Sequence, residues 1–208
     1  MKILLISLIY FTNLSWSKVI NTQLHNNGYE KLNKLAHSQS IARRVKKGEI
    51  VSVAKVESSI IDKMPIQTLK LYGAGLHPKS CRFAMRKLSL YENYHQYVGV
   101  IKKSSYNDAS QRITFNIDSS LLPFSMIMDF KMARITGKGV YPFTFDKGFL
   151  KGLKGQIYIF EEKKTCLLLV KADFQGPETP INNTILEFFS QAIIKLALEN
   201  LIRISKTY

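Results

Sequence analysis

The chain has 208 residues, with 30 lysines and arginines against 15 acidic residues, 46% apolar residues and a mean hydropathy of -0.05. It is too apolar for a disordered tail and not apolar enough for a multi-span membrane protein. Two cysteines exclude a disulfide-dense scaffold and a four-cysteine zinc site, and the length suits one domain with a short N-terminal extension.

Met1-Lys2 leads into an apolar run from Ile3 to Phe11, followed by polar and small residues to Ser17. One positive charge, a short greasy stretch and small residues at Ser15 and Ser17 make up a secretory leader, so residues 1–17 are expected to be a cleaved signal peptide. The run falls short of the roughly 20 residues that a membrane span needs. The expected protein is exported, to a periplasm or the extracellular space. In that setting its basic charge suits peripheral contact with anionic lipid headgroups. The densest cluster, Arg43, Arg44, Lys46 and Lys47, has no stacked-aromatic signature beside it, so no nucleic-acid partner is expected.

Residues 18–48 form a polar, weakly helical extension, with Tyr29, Leu32, Leu35, Ala36 and Ile41 at helical spacing and Gly48 as the stop. A domain over 49–208 follows. Glu49 to Glu57 is β-branched and alternating, and Ile66 to Tyr72 is a second strand; the two pair as a hairpin around Asp62, Lys63 and Pro65. Gly73-Ala74-Gly75 is expected to break that strand, and Pro78 to open a helix from its first turn. Phe83, Ala84, Leu88 and Tyr91 give this helix its apolar side, and a second short helix covers Leu90 to Tyr94.

Strands then run to about residue 174. Ile113, Phe115 and Ile117 alternate with polar residues. In the next strand Phe124, Met126, Met128, Phe130 and Met132 share one face, with Asp129 on the other, read as a solvent or edge residue. Tyr141, Phe143 and Phe145 alternate again, with Pro142 marking an edge or a bulge. Gln156 to Glu161 and Thr165 to Phe174 form a closing hairpin. The last element is a helix of about seven turns, to which Ile181, Ile185, Phe188, Phe189, Ala192 and Leu196 give an apolar face. The methionine face either fills a core or lines an adaptable pocket.

Signals for chemistry are sparse. None of His25, His37, His77 and His95 has metal-ligand spacing, and no metal or cofactor is expected. His95, among tyrosines, is the one histidine of catalytic interest, but no catalytic residue is assigned. The glycines at 148, 152 and 155 lack the ending of a phosphate loop, and no nucleophile elbow is present. Asn182-Asn183-Thr184 matches a glycosylation acceptor.

The element order, the segment Leu88-Ser-Leu-Tyr-Glu-Asn-Tyr-His-Gln-Tyr-Val98, and Ala172-Asp-Phe-Gln-Gly-Pro177 before the long helix resemble the START-like superfamily, and within it coenzyme Q-binding and polyketide cyclase-type members. The resemblance spans about residues 66–204. It implies an α+β helix-grip fold, a curved antiparallel sheet wrapped around the C-terminal helix, with a cavity for a hydrophobic small molecule or lipid. Its implied lining is Phe115, Met126, Met128, Phe130, Ile185, Phe189 and Leu196, with Tyr94 and Tyr97 nearer a mouth that His95 shares. The topology also sets the first core strand beside the last, which implies a disulfide between Cys81 and Cys166 in an oxidising compartment. The expected protein is a monomer that binds its ligand; whether it also carries it is left open. A cyclase or aromatase in the same cavity, or a non-catalytic envelope interaction module, are the alternatives.

Overall fold

A computed structural model describes residues 28, 30–32, 39–118, 125–148, 150–179 and 181–204. The expected signal peptide and Phe124 lie outside the described residues. After helix α1 (Gln39–Lys46), strands β1 (Val51–Ile61) and β2 (Met64–His77) pair from Val51↔Ala74 to Ile61↔Met64. Asp62 and Lys63 at the turn take φ of 50° and 64°. Such two-residue turns match the twist of the strands that they join. Helix α2 (Cys81–Leu88), a 3-10 turn (Tyr91–Asn93) and helix α3 (Tyr94–Tyr97) lead across to β3 (Ile101–Asn107). Then β4 (Arg112–Ile117), β5 (Met126–Met132), β6 (Gly139–Thr144), β7 (Lys154–Glu162) and β8 (Thr165–Pro177) follow as a meander, and α4 (Asn183–Ile204) closes the chain. All eight strands form one curved antiparallel sheet, ordered β1-β2-β8-β7-β6-β5-β4-β3.

Alternation along the strands gives the sheet two apolar faces. The inner one gathers Leu69 and Leu71 of β2, Ile113, Phe115 and Ile117 of β4, and Met126, Phe130 and Met132 of β5 under α2, the 3-10 turn and α4. The outer one gathers Val51, Ala74, Tyr158, Phe160, Leu167 and Leu169 beneath Leu32, Ala42 and Val45. Leu32 and helix α1 therefore form a second cover, laid over the outside of the sheet. Each fully buried leucine or phenylalanine in these layers contributes about 1.5–3 kcal/mol relative to exposure.

Gly73-Ala74-Gly75 does not break β2, which continues to His77 against β8. The glycines are there because α4 comes close. A Cβ on Gly73 would lie 3.1 Å from Leu198 Cδ1 and closer still to Ile194, and one on Gly75 would lie 2.8 Å from Ile202 Cδ1. Pro78 likewise precedes the helix that it was expected to open. The N-cap is Ser80, whose Oγ accepts from Phe83 N–H at 3.4 Å. Pro142 is tolerated because β6 pairs along its length with β7 but meets β5 only at Lys131↔Thr144 and Met132↔Phe143.

Helix α4 runs along the edge strand β1. Val56 N–H donates to Glu187 Oε2 at 3.0 Å, and Gln191 Nε2 donates to the Ala54 carbonyl at 3.3 Å. Asn183 exchanges hydrogen bonds with Ser58 and accepts from Gln67 Nε2 at 2.6 Å. Side chains one helical turn apart thus satisfy main-chain groups that an edge strand leaves open. Asn182 Oδ1, in the glycosylation motif, accepts from Thr184 N–H at 2.8 Å at the helix start.

Candidate functional site

The inner face is filled unevenly. At the end under α2 and α3, aromatic rings fill it. Tyr94 stacks on Phe115 at 5.6 Å, Phe115 meets Phe130 edge-on at 5.8 Å, and Phe130 stacks on Phe145 at 4.8 Å. Toward the middle of the sheet, Met128, Tyr141, Phe143 and Ile157 are only partly buried, as are Phe189 and Ile193 of α4. This incompletely covered apolar floor is the candidate site.

The structure treats the expected lining residues differently. Phe115, Met126 and Phe130 are buried in the inner cluster, and Met128, Phe189, Tyr94 and Tyr97 are partly buried against it. Ile185 is 57% exposed on the solvent side of α4, and Leu196 stands outside the cluster. The buried stripe of α4 is instead Leu186, Ser190, Leu198 and Ile202, with Ile194 partly buried. Sequence reasoning omitted Tyr141, Phe143, Ile157 and Ile193. The alternation of Tyr141 and Phe143 was a usable signal; nothing in the sequence marked Ile157 or Ile193.

The tyrosine hydroxyls on this face are engaged with the main chain, and Gln67, His77 and Ser190 are further buried polar side chains. Tyr91 donates to the Ala133 carbonyl at 3.2 Å and accepts from Ile135 N–H at 2.9 Å, and Tyr94 donates to the Leu88 carbonyl at 2.6 Å. Burial pushes both phenols above their ordinary range, so they stay protonated donors. Tyr141 accepts from Gly137 N–H at 3.1 Å. Arg134 braces this end of the molecule. Its guanidinium lies 4.3 Å from the Tyr106 ring centre, pairs with Glu92 at 3.1 Å and donates to the Ser89 carbonyl at 2.7 Å.

His95 does not join the inner face. It is exposed, and its Nδ1 lies 2.7 Å from Ser104 Oγ. Asp129 is neither an edge residue nor free in solvent. It pairs with Arg112, which also holds Asp146 at 2.7 Å, on the outer face. Cys81 and Cys166 are joined with their Cα atoms 4.6 Å apart, which ties the start of α2 to the start of β8. Among the described residues no group of three or more His, Cys, Asp or Glu could hold a metal, and no helix is long and apolar enough to cross a membrane.

No protein-family model matches this chain, and no curated protein is similar to it in sequence. Solved structures share its fold. A START superfamily protein from Mycobacterium smegmatis superposes with a TM-score of 0.53 at 12% identity, covering 66% of this chain and 97% of that one. The Zhui aromatase/cyclase from Streptomyces sp. R1128 gives 0.56 at 10% identity, covering 67% and 94%. A conserved protein from Geobacillus kaustophilus gives 0.53 at 10% identity, covering 66% and 95%. The architecture is thus the START-like, helix-grip fold, with β1 at one edge of the sheet and α1 on its outside.

Proposed function

We propose that this chain binds a hydrophobic small molecule or lipid between the middle of the curved sheet and α4, and that it does so as an exported protein. The observation that carries the reading is the set of partly buried apolar side chains packed on the inner cluster, Met128, Tyr141, Phe143 and Ile157 from the sheet and Phe189 and Ile193 from α4. A sheet that curves away from a straight helix leaves room in the middle, and apolar side chains kept half-covered there gain when a ligand completes their burial. Affinity would come from area, at about 25 cal/mol per Å² before ordering costs. Methionine and aromatic walls adapt to an irregular ligand. The fold shared with a START superfamily protein and an aromatase/cyclase supports a ligand-holding role, and the leader-like N-terminus and the paired cysteines support export. Binding rather than catalysis is the reading because the tyrosine hydroxyls are engaged by main chain and His95 faces away.

The test is uptake of a fluorescent long-chain fatty acid by the purified chain, together with solvent extraction and mass spectrometry. We expect saturable uptake that Ile193→Glu abolishes with the fold intact. Absence of both extractable lipid and saturable uptake would overturn the reading.

A further inference from the structure

On the outer face, β3, β4 and β5 border an open-sided trough of about 630 Å³, away from the apolar floor. The pairing of β3 with β4 slips between Ile101 and Lys103, so β3 carries one extra residue. In a regular strand Lys102 and Lys103 would point to opposite faces; with the bulge, both line this trough. His95 closes one side. Its Nδ1 lies 3.0 Å from the Glu92 carbonyl and 2.7 Å from Ser104 Oγ, and Ser104 itself donates to Glu92 at 2.7 Å. A carbonyl only accepts, so a hydrogen on Nδ1 satisfies all three contacts and fixes the ring at the side of the trough.

The rest of the wall is neutral and polar, from Ser105, Thr114 and Asn116, with Ile127 62% exposed beside them. No carboxylate lines it. Asp129, next along β5, is occupied by Arg112 and Thr114. Lys55, Lys131, Lys171 and Lys195 each sit beside a carboxylate, whereas among the described residues Lys102 and Lys103 form no ion pair.

We infer that this trough binds the phosphate of a phosphorylated polyol, either free or as a phospholipid headgroup. Two ammonium groups are point donors suited to a tetrahedral anion with several acceptor oxygens. A planar carboxylate is better matched by the arginine fork, which this wall lacks. The trough exceeds a single phosphate, and Ser105, Thr114 and Asn116 offer hydrogen bonds to hydroxyls beside it. The inference does not depend on the apolar ligand. A chain that yields no lipid but binds here keeps this proposal and loses the other.

The experiment is amide NMR of the whole chain titrated with sn-glycerol 3-phosphate, alongside flotation with phosphatidylcholine vesicles, with and without phosphatidylglycerol. Shifts centred on residues 95, 102–105 and 114–116 are expected, with Lys102→Gln/Lys103→Gln weakening binding at least about tenfold. Both lysines are exposed, so the double variant keeps the fold. A control pair elsewhere, Lys79→Gln/Arg82→Gln, leaves binding unchanged. Saturation by glycerol phosphate without vesicle recruitment assigns a soluble ligand; recruitment by phosphatidylglycerol that the double variant loses assigns a headgroup. No localised shifts and no lysine-dependent recruitment, or equal binding by parent and double variant, would overturn the proposal.

Discussion

Glu187 of α4 accepts the main-chain N–H of Val56 on β1 at 3.0 Å, so a side chain of the last helix completes the edge of the sheet. Removing that acceptor leaves an N–H half-hidden under the helix. Glu187→Ala is expected to cost about 1 kcal/mol, with Glu187→Gln costing less because an amide oxygen still accepts. Urea midpoints for the two variants check this, and an alanine variant as stable as the parent would remove the edge-capping role.

Gly73 lets α4 seat on β2. Gly73→Ala puts a methyl group into Ile194 and Leu198, and destabilisation of about 1–3 kcal/mol is expected from overpacking. Ile194→Ala should partly relieve it, making the double variant less damaged than the sum of the singles. Additive losses in a double-mutant cycle would mean that the helix does not bear on the glycine.

The cysteines are 85 residues apart in sequence, and in the chain-entropy view closing so long a loop stabilises by about 4.5 kcal/mol. Protein isolated without reductant, then unfolded, should take up no alkylating reagent by mass, and Cys81→Ala/Cys166→Ala should melt well below the parent. Two alkylated thiols per chain would refute the bond.

Acid should loosen the outer face before the inner one. The Arg112 guanidinium, bonded through its side chain, holds the Asp146 carboxyl well below the usual carboxylate range. A carboxyl whose pKa is depressed on folding adds stability that is fully present above its unfolded pKa of about 3.9 and is lost as pH falls through the folded value. Asp146→Asn should therefore lower stability at neutral pH and flatten its decline below about pH 4. Urea midpoints at neutral and acid pH report this, and parallel pH profiles for parent and variant would discount the pair.

Local pattern made much of this molecule legible. Ile113, Phe115 and Ile117, and then Met126, Phe130 and Met132, all face inward as their alternation required, because a strand's two-residue period assigns faces without reference to any other part of the chain. The order of elements was read in the same way, whereas the placement of the last strand beside the first core strand was implied by the resemblance to the START-like superfamily. The candidate site was half accessible: Met128 and Phe189 were among the expected lining, whereas Tyr141, Phe143, Ile157 and Ile193 were not.

Other features belong to the assembled fold alone. Helix α4 is apolar on nearly every side, so periodicity could not choose between Ile185 and Leu186, and contact with β1 and β2 made the choice. Gly73 looked like punctuation in one dimension and is a landing site in three. Lys102 and Lys103 were two ordinary charges until the fold set both on the wall of one trough, beside a slip in strand register. In each case the deciding force is exerted by residues far along the chain, and such forces leave no local trace.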